Sequence, residues 1–347
     1  MDVLSEVLRV VRLSGVIHFR GEFTQPWAFS TSPPALLAAR LKVPEGSVTP
    51  FHVFVEGSCW VRLGTLPPVQ ISTGDVIILP RGDQHVLASH VDLPPVPINS
   101  IYAHPSTEQI TVMRHGGAGE LSNFICGFLH ADQQFDPLLK SLPSLICVRV
   151  RNGQLRVAAF DPAGGTERPI ESQPEAEWWN ASLRYLISES AMPGPGNRAV
   201  LARLAESLFV EVLRWQLRFA AQGRGGWLAA LHDAQVSRVL ALIHALPERD
   251  WTVDELAEEA AMSRAALGRR FVALVGQSPI HYLTSWRMHL ARQLLQESKL
   301  SIGEIAKRVG YDSEAAFNRA FHRVVGSPPV TWRLAQSHLH QSHAAPG

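Results

Sequence analysis

The side chains in this sequence that could do chemistry fall into two places. Between Met262 and Arg333 stand eleven lysines and arginines (264, 269, 270, 287, 292, 299, 307, 308, 319, 323 and 333) against four acids (297, 304, 312 and 314), a net charge of +7. Residues 1–227 hold 19 basic and 20 acidic residues, a net of −1. The whole chain of 347 residues carries only +1, so the positive charge is placed rather than general. A cationic stretch of this kind suits nucleic-acid phosphates. The second place lies nearer the N-terminus. His52 stands four residues before Glu56, and His85 closes the segment GDVIILPRGDQH. The cysteines are Cys59, Cys126 and Cys147. Cys59 follows His52 in the same expected hairpin, and a thiolate beside a cation is reactive. The blander reading of Cys59 is an inert core thiol.

The elements that must position the cationic side chains come as a repeat. GYDSEAAFNRAFHRVVGSPP (Gly310–Pro329) restates MSRAALGRRFVALVGQSP (Met262–Pro279): Ser263 matches Ser313, Leu267 matches Phe317, Phe271 matches Phe321, Gly276 matches Gly326 and Pro279 matches Pro329. Upstream, Leu256 and Ala257 match Ile305 and Ala306. Each copy predicts a short helix, a tight turn and a second helix, with the turn of the second copy one residue longer. The small alanine lets the two helices cross closely, and Leu267 or Phe317 fills the seam. That is the mechanical requirement of a helix-turn-helix, whose second helix enters the major groove of DNA. Thr252, Ser263, Ser278, Ser301 and Ser313 are expected N-caps, and Glu255 and Glu304 complete two capping boxes. Between the copies, residues 279–297 predict a helix roughly 30 Å long. One turn of duplex is about 34 Å, so such a spacer can set two readers into successive major grooves on one side of DNA.

The rest of the chain divides by texture. Residues 1–172 are rich in Val, Ile, Pro and Gly, with short apolar or alternating runs such as VVRLSGVIHF, LLAARLKV, FHVFVEGSCWVRL and DVIILP. These predict strands of a small β-barrel or sandwich. Residues 173–226 predict two helices with a break at MPGPGN and a joint at GRGG. Their apolar stripe suits packing onto the barrel or a subunit contact equally. Residues 227–337 are read as all helical, with helices at 232–246, 252–260, 263–275, 279–297, 301–309, 313–325 and 328–336, and 338–347 as a disordered tail. The fold class expected is therefore α+β multidomain: a β-barrel, linker helices, and an all-α domain with two helix-turn-helix units.

On these motifs, residues 233–335 resemble the C-terminal domain of the AraC/XylS family of bacterial transcription regulators. The likeness is carried by TVDELAEEAAMSRAALGRRFVALVGQSPIHYLTSWRMHLARQLL and by IGEIAKRVGYDSEAAFNRAFHRVVGSPPVTWR. It implies base-edge contacts from Arg264, Ala265, Gly268 and Arg269 in the first copy, and from Glu314, Ala315, Asn318 and Arg319 in the second. Side-chain chemistry refines this: Arg269 or Arg319 suits guanine, and Asn318 suits adenine. Arg270 and Arg323, with Ser263 and Ser313 at helix N-termini, suit phosphates. Residues 1–170 resemble the cupin domains that precede such readers, through Gly74, Pro80, Gly82 and His85 at the spacing of the second cupin motif. That likeness implies a cavity for a small effector near His52, Glu56 and His85. It also raises a divalent metal (iron, manganese or zinc) on the same three residues, with His130 as a further ligand candidate. The His-x-His pair of metal-binding cupins is missing, because position 50 is Pro and position 54 is Phe.

The expected function is a sequence-specific, effector-responsive transcription regulator and not an enzyme. Its expected partners are double-stranded DNA, RNA polymerase, an unidentified small molecule and, through the linker helices, a second copy of the chain. Two rival readings stand beside it: a cupin metalloenzyme with a DNA-binding appendage, and a thiol-based redox regulator acting through Cys59. Three cysteines without CxxC spacing exclude a disulfide scaffold and suit a reducing compartment. No signal-peptide core and no run of eighteen apolar residues occur, so the expected location is the cytosol, without a membrane segment.

Overall fold

The computed structural model describes residues 2–335 except 12, 42, 44–46, 102–109, 132–135, 152, 163, 193 and 222–225. The chain opens with helix α1 (Val3–Val11), then β1 (Leu13–Thr24), β2 (Ala28–Ser30), α2 (Pro34–Leu41), β3 (Val48–Glu56), β4 (Ser58–Arg62), β5 (Val69–Ser72), β6 (Val76–Ile78), β7 (Val86–Ala88) and β8 (Val96–Pro97). It continues with α3 (Ile98–Ile101), β9 (Thr111–Gly116), β10 (Leu121–Ala131), α4 (Asp136–Ser141), β11 (Leu145–Arg151), β12 (Gln154–Asp161) and β13 (Gly164–Pro169). Helices follow: α5 (Gln173–Ala191), α6 (Asn197–Ala220), α7 (Trp227–Ala230), α8 (Ala234–Ala245), α9 (Val253–Glu259), α10 (Arg264–Val275), α11 (Pro279–Glu297), α12 (Ile302–Arg308) and α13 (Glu314–Val325). Residues 329–335 are helical as well. The expected tail at 338–347, and the joint at GRGG apart from Gly226, lie outside the described residues.

Two compact units form: Met1–Val11 with Leu217–Gly347, and Arg12–Gln216. The second unit holds two sheets, one of eight strands in the order β13-β12-β11-β6-β3-β10-β1-β9 and one of five in the order β5-β4-β7-β2-β8. Strand β1 alternates buried and half-buried residues along its length, as a strand with one face on the core must. Residues of both sheets meet in one core, in which Phe54 stacks on Phe124 at 5.5 Å and Phe23 meets Phe124 edge-on at 5.0 Å. LLAARLKV, expected as a strand, is helix α2 up to Leu41. Its Ala, Leu and Arg are good helix formers, and Pro34 fits a first helical turn.

Helices α5 and α6 belong mainly to this sheet unit. Trp179 and Trp215 pack with ring centroids 5.1 Å apart, and the Trp215 indole N–H donates to Glu175 at 2.9 Å. The backbone of β1 touches α6: Gly15 donates to Glu206 at 3.0 Å, and a Cβ at Gly15 would stand 2.6 Å from the Ala202 carbonyl. The apolar stripe of α6 is thus buried within the chain, with Leu201, Leu208, Val212 and Leu213 all covered.

In the other unit, α1 buries Val3, Leu4, Val7 and Val10, one stripe at helical spacing, and packs on α8 and α11. Every cap expected in the helical region is present. Thr252 and Ser301 form reciprocal capping boxes with Glu255 and Glu304, and the hydroxyls of Ser263, Ser278 and Ser313 accept from backbone N–H groups three residues on. Gly276 and Gly326 end α10 and α13 in the left-handed conformation. No helix among the described residues is long and apolar enough to cross a membrane.

Candidate functional site

Helices α9 and α10 form one helix-turn-helix, and α12 and α13 the other. The crossings are as the sequence requires. Leu256, Ala257, Leu267 and Phe271 are buried in the first, and Ile305, Ala306, Phe317 and Phe321 in the second. The residue that reverses the chain is Ala261 in the first turn, at φ 52°, and Gly310 in the second, at φ 84°. The 19 residues of α11 span about 28 Å.

The two second helices turn a cationic face to solvent. Arg264, Ala265, Arg269 and Arg270 are exposed on α10, as are Glu314, Ala315, Arg319 and Arg323 on α13, while Gly268 and Asn318 are half-buried. Ser263 and Ser313 are exposed at the helix starts, with their hydroxyls already serving as caps. Arg269, Arg319 and Arg323 make no ion pair among the described residues. Arg264 reaches Asp254 at 2.9 Å, a largely exposed pair that a phosphate can replace at little cost. Arg270 is more firmly held: its Nε donates at 2.7 Å to Asp233, the carboxylate that caps α8. The Asn318 side-chain oxygen is buried with no donor among the described residues, so a two-point contact with adenine requires that side chain to turn outward.

Not every cation counted in the sequence faces outward. Arg287 is buried, donating from Nε to the Pro247 carbonyl at 2.7 Å and from Nη2 to the Arg249 carbonyl at 2.8 Å, with its guanidinium 5.5 Å from the Tyr311 ring. It ties the loop before α9 to the turn before α13. Arg292 is mostly buried and lowered to about 10 by desolvation. Arg333 donates to the Leu300 carbonyl at 2.7 Å. These three belong to the framework of the reader and not to its charged face. Sequence counting assigned them to the surface because a cation's burial is invisible in composition.

In the sheet unit, His52 and His85 meet and Glu56 does not join them. Their Nε2 atoms are 2.7 Å apart. Glu56 is exposed and accepts from the Asn123 amide at 2.7 Å. His130 lies near Ser47, with 3.3 Å between its Nδ1 and the hydroxyl. The missed partner is Cys126, whose sulfur is 2.7 Å from His52 Nδ1. No spacing rule finds it, because it arrives through the pairing of β10 with β3, which sets Cys126 opposite His52. The hydrogen bonds fix one neutral chain. The Cys126 thiol donates to His52 Nδ1, His52 Nε2 donates to His85 Nε2, and His85 Nδ1 donates to the Asp83 carbonyl at 2.9 Å. Burial keeps both imidazoles uncharged, His85 at about 4 and His52 well below its ordinary value.

As they stand here, His52, Glu56 and His85 do not form a divalent-metal set. No group of three His, Cys, Asp or Glu placed to hold an ion occurs among the described residues. Two nitrogens bound tetrahedrally at about 2.0–2.1 Å from zinc stand further apart than 2.7 Å. Cys126 sits on the other nitrogen of His52, where it cannot share a metal with Nε2. The expected set of His52, Glu56 and His85 is therefore corrected to a closed hydrogen-bonded pair. Cys59 is corrected too. It is buried, and desolvation, with the charge of Asp75 beside it, raises its thiol well above the usual range. That environment favours the neutral thiol over the reactive thiolate.

Comparison with known proteins agrees with this architecture. The family described as Cupin matches residues 2–161 and 169–218, and the Helix-turn-helix domain family matches residues 256–335. A putative AraC-like transcription regulator of Streptomyces antibioticus is 32% identical over 334 residues, 96% of this chain and 98% of that protein. The chain belongs to the AraC-like transcription regulators. A second AraC-like relative, from Streptomyces lividans, is 32% identical across 85% of this chain and 89% of its own. The HTH-type transcriptional regulator AlkR of Acinetobacter baylyi is 28% identical across 96% and 99%. The AraC-like fold is thus cupin-like sheets followed by a helical region with two helix-turn-helix units, as the sequence led one to expect.

Proposed function

We propose that this AraC-like regulator reads an asymmetric operator with both helix-turn-helix units of one chain, in the cytosol, and that a small molecule bound by the sheet unit changes that reading. The observation that carries the proposal is the recurrence of exposed Arg269 and Arg319 at the equivalent position of α10 and α13, on two units joined by one helix of about 28 Å. Arg269, Arg319 and Asn318 take the base-edge roles, joined by Arg264, Ala265, Gly268, Glu314 and Ala315 at the groove. Arg270, Arg323, Ser263 and Ser313 take phosphates. Contacts with RNA polymerase and a homodimer rest on family membership alone. The effector acts by population shift, favouring the state of the regulator to which it binds better.

The test is selection of bound fragments from the source organism's genome by the purified full-length protein at fixed near-physiological salt. The expected result is two short conserved blocks about one helical turn apart, lost in the double variant Arg269→Ala, Arg319→Ala. A single block, or enrichment that survives the double variant, overturns the two-reader proposal.

A further inference from the structure

Within the sheet unit a cleft of about 740 Å³ opens where the edge strand β5 faces the end of the other sheet. One wall is apolar: Leu66, Pro67, Val69 and Phe160. The other carries Arg149 and Arg151 from β11. Both lie on the strand face that Cys147 continues into the core, so the cleft is the outer mouth of the space between the sheets.

The charges at this mouth do not balance. Arg151 is neutralised by the buried Asp75, donating from Nη1 at 3.0 Å and from Nη2 at 2.8 Å. Glu167 accepts from Arg156 at 2.7 Å. Asp161 accepts from the Ser144 backbone at 2.9 Å and lies 3.7 Å from Arg81. Arg149 is left over. Its guanidinium neighbours the Cys147 thiol, which burial holds at about 12, and Asp75 and Glu167 act on it only through space, each already bonded to another arginine. The Nε and Nη2 atoms of Arg149 are buried and meet no acceptor among the described residues. Those two N–H groups are the parallel edge of a guanidinium, the fork that receives both oxygens of a carboxylate. Leaving charged donors unmet in a buried site is costly, and a turn of the side chain toward the cleft lets an anion relieve it.

We propose that this cleft binds a small organic carboxylate, its two oxygens on the Arg149 fork and its apolar body against Phe160 and the Leu66–Val69 wall. The site deepens the effector reading above, and its regulatory half rests on that reading.

The probes are hexanoate, the neutral hexanamide and inorganic phosphate, each titrated calorimetrically into the full-length protein. Saturable hexanoate binding is expected, at least about tenfold tighter than hexanamide or phosphate, because the amide lacks the charge and phosphate lacks the apolar body. Arg149→Gln is expected to weaken hexanoate at least about tenfold without lowering the melting temperature, since it removes an unmet cation. Arg149→Lys, which keeps the charge and loses the fork, serves where the glutamine variant fails to fold, and is expected to weaken binding as well. No saturable binding, equal affinity for acid and amide, or undiminished binding by the variants overturns the site. Operator affinity with and without hexanoate is measured separately. An unchanged affinity while hexanoate binds at Arg149 overturns the regulatory half, and loss of operator binding without any ligand overturns the DNA reading instead.

Discussion

At the scale of single residues, the same side-chain type does opposite work in the reader. Arg269 and Arg319 are exposed and without an ion pair among the described residues, so alanine at either should leave unfolding free energy within about 0.5 kcal/mol. Operator binding followed by fluorescence anisotropy should weaken by about 1–3 kcal/mol for each. Arg287 is the reverse case. Alanine there strands the Pro247 and Arg249 carbonyls, and urea unfolding should register a loss of about 2–4 kcal/mol. A variant Arg287→Ala that unfolds like the wild type but binds DNA poorly would show that this arginine faces phosphate after all. Gly268 gives a third residue-scale expectation. A Cβ added there meets nothing, so Gly268→Ala should raise stability by about 0.5–1 kcal/mol through helix propensity. The same methyl should weaken operator binding if the backbone of α10 approaches the bases closely.

At the scale of elements, the two turns differ in how well each is made. Gly310 sits at φ 84° with the Glu248 carbonyl 2.6 Å from where a Cβ would stand, so Gly310→Ala should destabilise by at least about 2 kcal/mol. Ala261 holds a left-handed conformation without being glycine, and Ala261→Gly should gain up to about 1 kcal/mol. Thermal melts of the two variants should move in opposite directions. Such elements were legible in the sequence because a helix-turn-helix is local: caps, seam residues and terminating glycines stand at fixed offsets, and each appears where its spacing puts it. The sheet unit was legible only in its strands. His52 and His85 could be singled out from the cupin motif, but their relation to Cys126 depends on strand register, which links residues 74 positions apart. LLAARLKV was misread because a run of apolar residues with scattered polar ones fits a strand or a short helix, and propensity had to decide. The Arg149 cleft left no mark in the sequence, since only the closed fold shows which arginine lacks a counter-charge.

At the scale of the whole molecule, acid should unfold both units. His85 is held at about 4, His244 and His289 at about 3, and His52 well below its ordinary value, each by desolvation. The folded forms therefore bind fewer protons than the unfolded chain, whose imidazoles titrate near 6.5. Stability is fully present above that value and falls as pH drops toward 4 and 3. At pH 5 the loss is roughly 2 kcal/mol for each of His85, His244 and His289. Urea midpoints between pH 7 and pH 5 should decline accordingly, and His244→Phe should flatten the decline; a midpoint independent of pH would contradict the burial of these rings. Helix α1 carries a different consequence for the molecule. It is made before the sheet unit, yet the surfaces of α8 and α11 that cover Val3, Leu4, Val7 and Val10 are made more than two hundred residues later. Until the reader is made this apolar stripe lacks the surfaces that cover it in the fold, and exposed apolar surface of that kind is prone to aggregate. Sequence changes in α1 therefore act on the DNA-reading unit rather than on the sheets that follow it in the chain.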